Sequence, residues 1–247
     1  MAELVLALDL PSREPALRLL DRLPGLRWVK VGSVLMTAEG PAFVRELVAR
    51  GLDIFLDLKW HDIPNTVAGA VGAAGKLGVR MATVHASGGV EMLRAAVAAA
   101  PESLAVVAVT VLTSHDKLQT TDFTESTADP GRKGRAEPAL EAVKSAVSPL
   151  GLVVERMAKA ALGAGLAGVV CSALEVEQLR QTLGPRALLV VPGIRRAGDD
   201  PGDQKRTATP AQVARRGATH LVVGRPILNA PDPAAAFRAI LEELQAS

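Results

Sequence analysis

Short runs of Val, Leu and Ile recur along the chain, separated by longer stretches in which Ala and Leu return every three or four residues among Glu, Arg and Gln. The first pattern predicts strands and the second amphipathic helices. Strands are expected at residues 4–10, 28–33, 53–60, 81–86, 104–112, 168–173, 188–194 and 220–227, and helices at 39–50, 66–77, 89–99, 174–183, 210–216 and 232–245. The strands are apolar almost throughout, as strands buried on both faces must be, so a parallel sheet covered by helices is predicted. Eight such units in 247 residues fit a single α/β domain over residues 1–247, a (β/α)8 TIM barrel. The competing open, doubly wound sheet would carry a Gly-rich phosphate loop after its first strand. Asp9 stands there instead. The string from Gly163 to Gly168 fits GxGxxG in form, but it follows a helix and precedes a strand, the reverse of the dinucleotide-binding order, and is read as a helix end. One stretch breaks the rhythm. Residues 125–149 are polar and carry Pro130, Gly131, Gly134, Pro138 and Pro149, which predicts an irregular surface insertion with one short helix near 139–146.

Composition narrows the class. A hydrophobic share of 49% is enough for a sizeable core. A net charge of +2, an aromatic share of 2% and the absence of Tyr supply neither the basic surface nor the stacking platforms of a nucleic-acid binder. No apolar stretch reaches membrane-spanning length, and the first ten residues, with Glu3 and Asp9, lack a basic leader. The lone Cys171, inside Gly168-Val169-Val170-Cys171, reads as a core thiol of a reducing compartment. A cytoplasmic protein with no nucleic-acid or membrane partner is expected.

Chemistry concentrates where the run Ile54-Phe55-Leu56 gives way to Asp57-Leu58-Lys59-Trp60-His61-Asp62-Ile63-Pro64-Asn65-Thr66. Asp57 and Lys59 are two apart and project from one face of a strand, while Asp62 lies beyond the strand end. Spacing alone fits a structural ion pair as well as it fits a reactive cluster. Barrel active sites gather at the carboxyl ends of the strands. The residues there are Asp9, Lys30, Asp57 and Lys59, Thr113-Ser114, Pro192-Gly193-Ile194-Arg195 and Gly224-Arg225. Asp9 and Lys30 fit a salt bridge at the barrel mouth equally well. The loops after the seventh and eighth strands commonly hold phosphate. Gly224 permits close backbone approach there, and Arg225 offers a planar fork of donors. His85 reads as a supporting or core residue, and His61 is unassigned. No His-x3-His or Cys-x2-Cys spacing occurs, and Lys59 and Lys30 supply the positive charge a metal would otherwise bring, so a site without metal or cofactor is expected.

The ten-residue string closely resembles the signature of the orotidine 5'-monophosphate decarboxylase family, Asp-x-Lys-x-x-Asp followed by Ile-Pro-Asn-Thr. The segments LALDL, VKVG, VTVLTS, VPGIR, DQKRTATP and VVGRPI extend the resemblance over nearly the whole chain. It implies a lyase that converts orotidine 5'-monophosphate to UMP, the last step of de novo UMP synthesis. By the same resemblance, Asp9 and Lys30 hold the ribose hydroxyls. Lys30, Asp57, Lys59 and Asp62 form an alternating charge array around the reacting carbon, with Lys59 protonating C6. Thr113 touches the pyrimidine, Thr66 joins the substrate site, and Arg195, Gln204, Gly224 and Arg225 bind phosphate. The resemblance also implies a homodimer in which Asp62 and Thr66 reach into the partner's site. Residues 195–209, with Gly198 and Gly202, have the composition of a loop that closes over the phosphate. A metal-assisted phosphosugar decarboxylase or aldolase would share Asp-x-Lys-x-x-Asp, but Lys30 and Ile-Pro-Asn-Thr count against it. A ribulose-phosphate-type isomerase would need metal-binding histidines at strand ends, and a non-catalytic nucleotide binder would have little use for all four charged residues.

Overall fold

The computed structural model describes residues 2–112, 149–195 and 208–246. Thr113, Gln204, the predicted helix near 139–146 and nearly all of the insertion and of the 195–209 loop lie outside the described residues. Eight strands pair in parallel in chain order: β1 (Glu3–Ala7), β2 (Trp28–Gly32), β3 (Asp53–Trp60), β4 (Met81–His85), β5 (Ala105–Val109), β6 (Gly168–Val170), β7 (Leu188–Val191) and β8 (His220–Val223). β8 pairs with β1 through Glu3 opposite His220 and Leu6 opposite Val223, which closes the barrel. The described helices are α1 (Arg13–Leu20), α2 (Ser33–Ala49), α3 (Pro64–Lys76), α4 (Gly89–Ala99), α5 (Pro149–Gly163), α6 (Val176–Leu183), α7 (Pro210–Arg215), α8 (Arg225–Leu228) and α9 (Pro233–Gln245).

The strands are apolar on both faces because each face meets a different core. Val5, Ala7, Trp28, Phe55, Met81, Val107, Val190 and Val222 pack together inside the barrel. Their neighbours Leu4, Leu6, Val29, Ile54, Leu56, Ala82, Val106, Leu189 and Leu221 belong to the larger core between strands and helices. The period of two therefore sorts each strand between a closed interior and the helical shell. Close packing of backbone is visible at Gly168, which opens β6. A Cβ there would stand 2.0 Å from the Leu188 carbonyl oxygen, so no other residue fits without moving β7. Cys171 is a fully buried core thiol.

Several boundaries differ from the sequence pattern. β3 spans 53–60 and α4 spans 89–99, as predicted. The eighth strand stops at Val223, short of residue 227, because Pro226 has no amide for the ladder and starts the short α8 instead. α2 begins at Ser33, six residues before the predicted start, and bends at Gly40 (φ 67°, ψ −171°) ahead of Pro41. α1 was not predicted, and neither was α5, which starts at the Pro149 assigned to the insertion. α5 ends at Gly163, so the GxGxxG-like string is a helix end followed by a strand.

The amino-terminal end of the barrel is closed by a charged belt over an aromatic pair. Arg27 donates to Asp53 at 2.7 Å and Arg80 donates to the same carboxylate at 3.3 Å. Beneath them His220 meets Trp28 edge to face, with centroids 5.0 Å apart. Burial, and secondarily the Arg27 charge, pushes the His220 imidazole down from 6.5 to about 4. A histidine with a depressed folded value binds its proton in the unfolded chain first, so its contribution to stability is complete above pH 6.5 and is lost as the pH falls through about 4. Urea unfolding between pH 7 and pH 4 is therefore expected to show wild type losing about 3 kcal/mol more than His220→Gln. Parallel profiles would mean that His220 is hydrated in the native state.

Candidate active site

At the carboxyl ends of the strands the interior positions turn polar. Lys30 follows Trp28 on β2, Asp57 follows Phe55 on β3 and Thr83 follows Met81 on β4, each two residues further along and therefore on the inward face. Lys30 and Asp57 open onto a cavity of about 690 Å³ whose walls also include Asp9, Lys59, Arg195, Gly224 and Arg225, while Thr83 lies buried behind it. Seven of the residues singled out in the sequence thus meet in one place, although they come from β1, β2, β3, β7 and β8 or the turns that follow them.

The charges alternate along a continuous chain. Asp9 Oδ1 lies 3.0 Å from Lys30 Nζ, Lys30 Nζ lies 3.5 Å from Asp57 Oδ2, and the same oxygen lies 2.8 Å from Lys59 Nζ. Asp57 and Lys30 are nearly closed off, with side-chain exposures of 11% and 12%, whereas Lys59 at 36% reaches into the open cavity. Removing one partner from a pair shielded to that degree costs about 3–5 kcal/mol, because the other charge is left uncompensated. The described cavity walls carry four cations, Lys30, Lys59, Arg195 and Arg225, against the two carboxylates of Asp9 and Asp57. An excess of positive charge in a walled cleft selects an anionic ligand.

Lys59 does not reach this position along a regular strand. Leu56 pairs with Ala82 and Trp60 pairs with Val84, so four steps along β3 are matched by two along β4. Within this bulge Lys59 takes a left-handed backbone (φ 53°), which no other non-glycine residue does among the described residues. Such a conformation costs on the order of 1–3 kcal/mol and persists where its surroundings hold it. Here the Lys59 amide donates to Thr83 Oγ1 at 2.8 Å, and the Thr83 hydroxyl donates to Asp57 Oδ1 at 3.1 Å. The predicted common face of Asp57 and Lys59 is real, but a bulge and not the strand period produces it.

The remaining residues take different places. Gly224 keeps the wall beside Ala7 and Asp9 open, since a Cβ there would touch Ala7 Cβ at 3.4 Å and Asp9 Oδ2 at 3.8 Å. Arg195 is buried and its Nη1 donates to the Ile194 carbonyl at 2.9 Å. Asp62 and Thr66 are not among the cavity walls. Both are exposed, and the Asp62 carboxylate accepts the Ile63 amide at 2.7 Å and forms no ion pair among the described residues. His85 ends β4 with its ring centroid 5.5 Å from that of exposed His61. Burial, then the neighbouring His61 and Lys59 charges, lower its affinity for a proton, against a weaker pull from Asp57. That fits a neutral supporting ring. No group of three or more His, Cys, Asp or Glu placed to hold a metal ion occurs among the described residues. Sequence reasoning missed Thr83 and Asn229, which also lines the cavity. The only signal for Thr83 was a hydroxyl inside the otherwise apolar Met81-Ala82-Thr83-Val84.

Comparison with known proteins agrees with this geometry. Residues 2–240 match the model of the Orotidine 5'-phosphate decarboxylase / HUMPS family. A protein named orotidine 5'-phosphate decarboxylase from Anaeromyxobacter sp. (strain K) is 49% identical over 237 residues, covering 95% of this chain and 94% of the relative. One of the same name from Moorella thermoacetica is 44% identical, covering 98% and 92%. The crystal structure of orotidine 5'-phosphate decarboxylase from Lactobacillus acidophilus superposes with a TM-score of 0.76 at 35% identity over 99% of both chains. A family model that spans nearly the whole chain, joined to these levels of identity, shows that the chain belongs to the orotidine 5'-phosphate decarboxylase / HUMPS family and is a carbon–carbon lyase.

Proposed function

We propose that this protein decarboxylates orotidine 5'-monophosphate to UMP in pyrimidine biosynthesis, as one barrel domain and without metal or cofactor. The observation that carries this reading is the Lys30–Asp57–Lys59 chain at the foot of a cavity whose other walls include Arg195 and Arg225. Breaking the bond between C6 and its carboxylate leaves an electron pair in an orbital of the ring plane that the pyrimidine delocalises poorly. A fixed ammonium beside C6 stabilises the developing charge, and Lys59, held 2.8 Å from Asp57 and open to the cavity, is the group placed to do so. The same Nζ then delivers a proton to C6, CO2 leaves, and solvent restores the lysine proton. Asp57, in contact with the ammonium, aims Lys59. Asp9 and Lys30 bind the ribose hydroxyls, and Arg195, Gly224 and Arg225, with Gln204, take the phosphate. Thr113 meets the pyrimidine.

Asp62 and Thr66 complete the site from a second copy. An exposed Asp62 without an ion pair among the described residues, next to an Ile63 that is 67% exposed, supports a two-fold contact at the opening of α3. An obligate homodimer with exchanged loops follows.

Loss of the orotate chromophore on adding purified protein to orotidylate tests the reaction directly, and activity should survive exhaustive chelation. Lys59→Ala is expected to abolish turnover nearly completely while UMP still binds. Activity within about tenfold of wild type, only ~1.4 kcal/mol of lost transition-state stabilisation, would remove Lys59 from the role of proton donor. Arg225→Ala should impair orotidylate far more than the unphosphorylated nucleoside, since only the former presents a dianion to the guanidinium. Equal losses would place Arg225 in support of the fold.

The dimer can be tested by complementation. Lys59→Ala and Asp62→Ala chains, each nearly inactive, are mixed equally and reassorted by reversible unfolding. Each heterodimer then holds one intact site, and random pairing should restore about a quarter of wild-type activity. Proven heterodimers without recovered activity would assign Asp62 to the site of its own chain.

A further inference from the structure

Thr83 sits on β4 opposite the bulge of β3, fully buried, with its hydroxyl bonded on both sides to the reactive segment. Its Oγ1 accepts the Lys59 amide at 2.8 Å and its proton goes to Asp57 Oδ1, 3.1 Å away. The two carboxylate oxygens of Asp57 are thereby divided: Oδ1 is held by Thr83, and Oδ2 faces Lys59 at 2.8 Å and Lys30 at 3.5 Å. The irregular register between Leu56 and Trp60 means that Lys59, in its left-handed conformation, uses a side-chain hydroxyl where a regular strand would use a ladder carbonyl.

We infer that Thr83 is the positioning residue of this site: its hydroxyl fixes both the bulge that carries the Lys59 ammonium and the rotation of the Asp57 carboxylate that aims it. The inference rests on the reading of Lys59 and Asp57 as the reacting pair. Neither neighbour of Thr83 on β4 can replace it, because Ala82 and Val84 are fully buried in the outer core and carry no polar side-chain atom. Threonine suits the task better than serine, since its β-branch restricts χ1 and its methyl fills the tightly packed interior of a strand.

The test is a pair of substitutions read by steady-state kinetics with orotidylate. Thr83→Val keeps the shape and strand preference but removes both hydrogen bonds. It should lower kcat by about ten- to a hundredfold through misplacement of the ammonium, while the KM, set mainly by phosphate and ribose contacts, stays within about threefold. Thr83→Ser keeps the hydroxyl and should recover most of the lost kcat. Binding of UMP by calorimetry should be unchanged in both, which separates loss of aim from loss of fold. A Thr83→Val kcat equal to wild type would overturn the inference, as would equal kcat losses in the valine and serine variants. The activity of Lys59→Ala distinguishes the two levels. If that variant is inactive while Thr83→Val is normal, Thr83 alone is misassigned. If Lys59→Ala is active, the reading of the reacting pair fails as well.

Discussion

A carboxylate held inside a barrel must be compensated, and at Asp57 that requirement organises the whole carboxyl end of the fold. Its side chain is 11% exposed, deep enough that an unpaired charge would be expensive. Compensation comes from three directions: the Lys30 ammonium on β2, the Lys59 ammonium on its own strand and the Thr83 hydroxyl on β4. Three adjacent strands are therefore tied at one atom group. The cost of removing any partner is what keeps the two ammoniums close together in spite of their mutual repulsion.

The barrel supplies the frame on which such a cluster can be rigid. Below the polar layer, the interior is filled by Val5, Trp28, Phe55, Met81, Val107, Val190 and Val222, which pack against one another and exclude water from beneath the charges. Strain is confined to a small region. Lys59 takes the left-handed conformation within a bulge whose far side is anchored by the Trp60–Val84 pair. The opposite end of the barrel is closed by Arg27, Asp53, Arg80 and the buried His220–Trp28 contact, so fold maintenance and chemistry occupy different ends of the same strands.

The distribution of charge also divides the work within the cavity. Asp57 and Lys30 are shielded and fixed, Lys59 reaches the open space, and Arg195 and Arg225 stand on segments that follow β7 and β8. A ligand with an anionic tail held by the arginines would bring its other end over Lys59, so binding energy gained away from the reacting atoms can be used to position them. Asp62 and Thr66 fall outside this cavity within one chain.

Periodicity and punctuation made much of this legible in advance. Near-continuous apolar runs, most of them followed by a helical stretch, pointed to a parallel sheet buried on both faces, and their number, eight, pointed to a closed barrel. The bounds of β3 and α4 were readable where polar or glycine residues interrupt the pattern. Ile227 prolonged the apparent eighth strand because hydrophobicity alone cannot register the missing amide of Pro226. Asp9, Lys30, Asp57 and Lys59 were identifiable as strand-end charges, and Arg195 and Arg225 as loop cations, from position alone. What the sequence could not contain is the meeting of residues far apart along it. Thr83 touches Lys59 across 24 positions, and an isolated threonine in an apolar strand has no local signature of that contact. The bulge was invisible for a related reason: Asp57 and Lys59 obey the period of two on paper, and only the register against β4 reveals that the strand has left it. Local pattern determined which residues face inward. Tertiary pairing decided which of them share a hydrogen bond, because that depends on the stagger between neighbouring strands.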